Sequence, residues 1–139
     1  MNSLLMFPSF AAMCVLATAA HADELTVTIT DIRATQGTLM VALVDSDAAW
    51  NNQAKPVAAK KAAAEKGEMR FTFSDLPAGV YAVQVMHDEN DNNKIDTNFL
   101  GIPSEGYGFS NNPQVMRRAT FEEARFEFKA DATITVRLR

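Results

Sequence analysis

Asp88, Asn90 and Asn92 occupy alternate positions, and Asp96 follows eight residues after Asp88. A hard cation such as calcium takes six to eight oxygens, and a tight loop aims side chains at positions one, three and five inward while the backbone carbonyl at position seven joins them. Counted from Asp88, those positions are Asp88, Asn90, Asn92 and the Lys94 carbonyl, with Asp96 at position nine. Calcium is therefore the expected metal. Ile95, at position eight, stands where such loops commonly anchor to a core. Glu89 and Asp91 are expected to point outward and raise the local negative field.

The spacing departs from a helical calcium loop at two places. Asn93 replaces the usual glycine at position six, and asparagine is the next best residue for a left-handed backbone. Phe99 stands at position twelve, where an EF-hand carries a bidentate glutamate, so this is not an EF-hand. Two carboxylates among the side-chain ligands put affinity at the weak extracellular end, roughly 10⁻⁴ to 10⁻³ M. The same residues also fit a metal-free surface turn in which Asx oxygens accept backbone N–H groups. Both chemistries remain open at the level of sequence.

Around the loop stand the remaining candidates. His87 precedes it as an orienting hydrogen-bond partner, and Glu105 follows as a possible extra ligand. Phe99, Tyr107 and Phe109 are interleaved with Gly101, Gly106 and Gly108, which permit an irregular backbone. These rings either cap the end of the domain or face a ligand such as a sugar. Asn111, beside Ser110 and Asn112, offers amide hydrogen bonds to a ligand or to its own loop. A single histidine after residue 22, with no cysteine there, argues against zinc. No nucleophile-elbow pattern surrounds Ser104 or Ser110, so a hydrolase built on His87, Asp88 and a serine ranks below binding, and no catalytic residue is assigned.

Strands must position this loop. Leu25, Val27 and Ile29 alternate with threonines, and Leu39, Val41 and Leu43 form a second apolar stripe, so the simplest pairing is an antiparallel couple joined through residues 31–37. Asp45-Ser46-Asp47 reads as a turn or helix cap that tucks Trp50 against a sheet as a core plug. Residues 57–65 favour helix by their alanines and lysines, yet an all-β neighbourhood drafts them as an edge strand. Met69, Phe71 and Phe73 make another strand. Val80 to Met86 is a strand that runs into His87 and Asp88. Phe126 and Phe128, then Ile134, Val136 and Leu138, supply the closing strands. About seven short strands without a long helix describe a single all-β, antiparallel β-sandwich with a long ordered loop at one end; a small closed barrel is the alternative.

Composition narrows the partners. The formal charge of −4 argues against nucleic acid. Arg117 and Arg118, like Arg137 and Arg139, read as solvated rather than as a basic surface. Residues 1–22 carry an apolar block ending in Ala20-His21-Ala22, the pattern of a cleaved signal peptide, and the block is shorter than the roughly 18 apolar residues a membrane span needs. Residues 23–139 then form one domain, expected in the periplasm or secreted, with no transmembrane segment after cleavage. Cys14 lies in the removed part, so no disulfide forms.

The run Asp75-Leu76-Pro77-Ala78-Gly79-Val80-Tyr81, the stretch His87-Asp88-Glu89-Asn90, and Phe99-Leu100-Gly101-Ile102-Pro103-Ser104-Glu105-Gly106-Tyr107-Gly108-Phe109 together resemble domain-of-unknown-function family 2141, small exported bacterial proteins. The likeness spans nearly all of residues 23–139 and implies an exported single domain without an established activity. The Leu76-Pro77-Ala78-Gly79-Val80-Tyr81 corner is also similar to prealbumin-like and peptidase-regulatory-like β-sandwich modules, which bears on fold alone; the expected sandwich is Ig-like or prealbumin-like. The expected role is a non-enzymatic module whose calcium-stiffened loop presents a glycine and aromatic surface to a protein or glycan partner; a metal-free carbohydrate or small-ligand module is the alternative.

Overall fold

The computed structural model describes residues 22–139. The expected signal peptide, with Cys14, lies outside the described residues apart from Ala22. Eight strands follow in order: β1 (Leu25–Ile32), β2 (Thr38–Val44), β3 (Ala58–Ala63), β4 (Gly67–Phe73), β5 (Gly79–Asp88), β6 (Tyr107–Phe109), β7 (Phe126–Phe128) and β8 (Ala132–Arg137). Two one-turn helices, α1 (Asp47–Trp50) and α2 (Phe121–Ala124), are the only helices among the described residues. None is long and apolar enough to cross a membrane.

The strands form two sheets, β4-β1-β8 and β3-β2-β5-β6, with β7 also paired to β5. This is the all-β sandwich that the alternation implied, with one more strand than expected and one exception to antiparallel pairing. β8 lies parallel to β1, from Leu25 opposite Ala132 to Thr30 opposite Arg137. The expected β1–β2 couple does not form: β1 pairs with β4 and β8, while β2 pairs with β3 and β5. Each strand carries a full apolar stripe. Placing them in opposite sheets lets Leu25, Val27 and Ile29 meet Leu39, Val41 and Leu43 across one core, and all six are essentially inaccessible to solvent.

Residues 57–65 do form a strand, β3, at the edge of the larger sheet. Pairing with β2 packs Ala58 and Ala62 against the core, which outweighs the helical leaning of alanine and lysine. Lys60 reaches the other sheet, where its ammonium donates to the Thr72 carbonyl and lies over the Phe73 ring.

The sheets also approach a closed form along one side. Tyr107 and Arg139 exchange backbone hydrogen bonds, linking β6 to the end of the chain beyond β8. A side chain at position 108 would put its Cβ 2.7 Å from the Arg137 carbonyl oxygen, so glycine is required there.

A second apolar cluster covers part of the outer face of the larger sheet. Ser46 caps α1 by accepting the Ala49 N–H at 3.2 Å, and the helix delivers Trp50 inward. Trp50 packs against Phe109 and Phe121, and its indole N–H donates to the Ala119 carbonyl at 3.0 Å. The tryptophan is the core plug its setting suggested.

Candidate functional site

β5 runs into the loop with both of its last side chains buried. His87 Nε2 lies 2.7 Å from the Gln36 carbonyl oxygen, which ties the strand end to the β1–β2 connection. Gly37 must be glycine: it has φ 75, and a Cβ there would fall 1.9 Å from the Asp88 carbonyl oxygen. The buried Asp88 carboxylate accepts the Asn92 N–H at 3.1 Å and the Asn93 N–H at 2.7 Å. Asn93 has φ 62, the left-handed conformation that asparagine tolerates.

The other loop side chains turn toward Asp96. Asn90 Nδ2 donates to its carboxylate at 2.5 Å and Asn92 Nδ2 at 2.9 Å. Asn92 Oδ1 accepts the Lys94 N–H at 3.0 Å. Glu105 is buried, and it does not point at this cluster as a further ligand. Its two oxygens instead accept the backbone N–H groups of Glu89 and Asp96, at 3.0 and 2.8 Å. Asp91 is not merely an outward charge either, since it accepts the Thr38 hydroxyl at 2.7 Å and fastens the loop to β2.

Asp88, Asn90, Asn92 and Asp96 thus form one hydrogen-bonded knot containing two carboxylates. No three His, Cys, Asp or Glu side chains among the described residues group as metal ligands. For the knot to surround a cation, the Asn90 and Asn92 amides must rotate to present oxygen where they now present nitrogen.

Past Asp96 the chain makes a small hairpin closed by a bridge between Thr97 and Pro103. Asn98 Oδ1 accepts the N–H groups of Leu100 and Ile102 and so shapes its tip. Phe99 is 95% exposed there, and Leu100 and Ile102 are exposed beside it. Ile95, expected as a core anchor, is half-buried and turns instead to the outer face of the larger sheet.

That outer face holds a cleft of about 1020 Å³. Strand register sets its floor. Lys61, Met40, Met86 and Tyr107 make one row across β3, β2, β5 and β6, and Ala59, Ala42, Gln84 and Phe109 make the next. Ile95 and, from the hairpin, Leu100 and Ile102 form one wall, and residues 116–118 form the other. Of the residues singled out in the sequence, Tyr107 and Phe109 line this cleft and Phe99 stands at the hairpin tip outside it. His87 and Glu105 are interior struts. Asn111 donates its amide to the Glu123 and Arg125 carbonyls, at 3.2 and 2.7 Å.

The paired arginines are not simply solvated. Arg117 binds Glu123 through two 2.8 Å contacts. That hydrogen bond, followed by the Thr120 N–H, brings the Glu123 carboxyl down to about 2. Arg118 stays exposed, yet its guanidinium lies 5.2 Å from the Trp50 ring centre and donates to the Trp50 carbonyl, Asn51 and Gln84. Burial against these groups lowers its pKa. Arg137 reaches Asp31, and Arg139 lies over the Tyr107 ring.

Ser110 Oγ is held between the Val83 N–H and the Ala124 carbonyl, and Ser104 Oγ donates to the Asp96 carbonyl. Neither bonds to His87, whose Nε2 is engaged with Gln36. Lys61 on β3 carries no local signal in the sequence, and Arg118 reads there only as solvated; the other floor residues that sequence reasoning passes over are Met40, Ala42 and Met86. Their signal was the apolar character of positions on β2 and β5 that alternation assigns to the wet face.

Fold and site together define a small two-sheet β-sandwich with a cleft walled by its longest loop. The chain belongs to the DUF2141 family, described as uncharacterized protein conserved in bacteria, whose model matches residues 27–136. Comparison with curated proteins and with solved structures finds no match.

Proposed function

We propose that this protein is a non-enzymatic binding module that takes a small, largely apolar ligand into the cleft on the outer face of its larger sheet. One observation carries the reading: half-buried Met40 and Met86 face outward at the centre of a four-strand floor, between a wall bearing Leu100 and Ile102 and a second wall of residues 116–118. An apolar concavity with a few polar groups at its margin is the usual form of a small-ligand site, and flexible methionines adapt to varied shapes. This chemistry favours an aliphatic ligand over a sugar, because Phe109 is packed against Trp50 and Tyr107 carries Arg139 over its ring.

In this reading the 88–96 loop is the support of one cleft wall, and calcium held by Asp88, Asn90, Asn92, the Lys94 carbonyl and Asp96 stiffens it. The gathering of two carboxylates and two amides in one loop supports that role, with the Asn90 and Asn92 amides, which now donate to Asp96, rotating to present oxygen to the ion. We place the module in the periplasm or outside the cell, as the apolar leader of residues 1–22 implies.

The test is titration of the protein with dodecanol, followed through the methionine methyl resonances. Met40 and Met86 are expected to shift, and Ala42→Trp, which fills the floor, is expected to abolish the response without lowering the melting midpoint. Unmoved methyl signals in the wild type sink the proposal.

A further inference from the structure

The cleft has a polarity that its apolar floor does not explain. Lys60, Lys61, Arg117 and Arg118 all line it, Lys60 with its ammonium turned away to the other sheet, and no aspartate or glutamate does, although the chain as a whole has a net charge of −4. Two of these cations are already satisfied, Lys60 by the Thr72 carbonyl and the Phe73 ring and Arg117 by Glu123. The other two have no carboxylate partner among the described residues.

Lys61 is exposed at the β3 end of the methionine row. Arg118 sits over the neighbouring row, where all its acceptors are neutral oxygens: the Trp50 carbonyl, Asn51 Oδ1 and Gln84 Oε1. A guanidinium has five N–H donors, so Nε–H and one Nη1–H remain for an incoming acceptor. The Arg117–Glu123 pair and the Thr120 capping box fix the backbone on either side of Arg118 and hold it at the cleft margin.

We propose that the ligand of the cleft is a single-chain amphiphile with an anionic head, its tail lying along Met40 and Met86 and its head on Arg118, with Lys61 adding to the local positive field. This rests on the cleft being a binding site, as proposed above. Charge complementarity selects the head group. A hydrogen bond to an ionised acceptor in a partly desolvated setting is stronger than one to a neutral hydroxyl, which gives a carboxylate its advantage over an alcohol of equal length.

Calorimetric titration with dodecanoate and with dodecanol separates the two claims. The wild type is expected to bind dodecanoate about ten-fold more tightly than dodecanol. Arg118→Gln is expected to remove that preference, so that dodecanoate binds no more tightly than dodecanol, and Arg118→Lys to restore part of it. Because Arg118 also braces Trp50, the melting midpoint of each variant is recorded; should Arg118→Gln unfold, the wild-type preference and its weakening by salt decide the matter. Equal affinity for the two amphiphiles overturns the anionic head and leaves the cleft reading standing. Binding of neither overturns both.

Discussion

Glu105 and Asp96 are joined through a single contact that fixes the loop: Glu105 Oε2 accepts the Asp96 N–H at 2.8 Å, while its other oxygen accepts the Glu89 N–H at 3.0 Å. One buried carboxylate therefore fastens both ends of a loop whose sequence suggested either a calcium site or a metal-free Asx turn, with Glu105 as an extra metal ligand. Replacing it with Glu105→Ala leaves two N–H groups without their charged acceptor. The expected cost is about 2 kcal/mol in urea denaturation, with faster hydrogen exchange at the Glu89 and Asp96 amides. An unchanged unfolding midpoint would show that the loop does not depend on this clasp.

Calcium is expected to stabilise the protein. With a dissociation constant near 10⁻³ M, about 10 mM calcium adds roughly 1.4 kcal/mol, a rise of about 3–6 °C in melting midpoint. Asp96→Ala removes both a carboxylate ligand and the acceptor of the Asn90 and Asn92 amides, so its midpoint should ignore the ion. If the wild type melts at the same temperature with and without calcium, the metal assignment is lost and the knot is an Asx turn alone.

Acid sensitivity should be traceable to Glu123. Its carboxyl lies at about 2 in the folded chain against an ordinary value of 4.5, so the unfolded chain binds more protons between those limits. The stability this contributes is fully present above 4.5 and is lost as pH falls toward 2. Glu123→Gln should therefore flatten the decline of the melting midpoint across that interval while lowering the midpoint at neutral pH. An identical slope in both proteins would assign the acid response to other carboxylates.

The strands were legible because Leu25, Val27 and Ile29, or Val83 and Val85, alternate with residues of a different face, and burial follows that alternation closely. Partner choice was not. Sequence proximity suggested that β1 and β2 pair, but two strands that both carry a complete apolar stripe gain more by facing each other across the core. The Asx spacing announced the knot at Asp96, yet Glu105 looked like a spare ligand because nothing local reveals that it closes on Glu89 from sixteen residues away. The cleft was hidden for a similar reason. Met40 and Met86 are adjacent only through strand register, and Arg118 joins them only because α1 and α2 pack together at the sheet.

The parallel pairing of β1 with β8 bears on when the domain can form. β1 is the middle strand of its sheet, and one of its two neighbours, β8, is the last strand among the described residues. A polypeptide still emerging from the ribosome lacks that neighbour, so one flank of β1 keeps bare amide and carbonyl groups until residues 132–137 have been made. The smaller sheet therefore closes late, by a contact between segments far apart in the sequence, and its assembly waits on that long-range meeting.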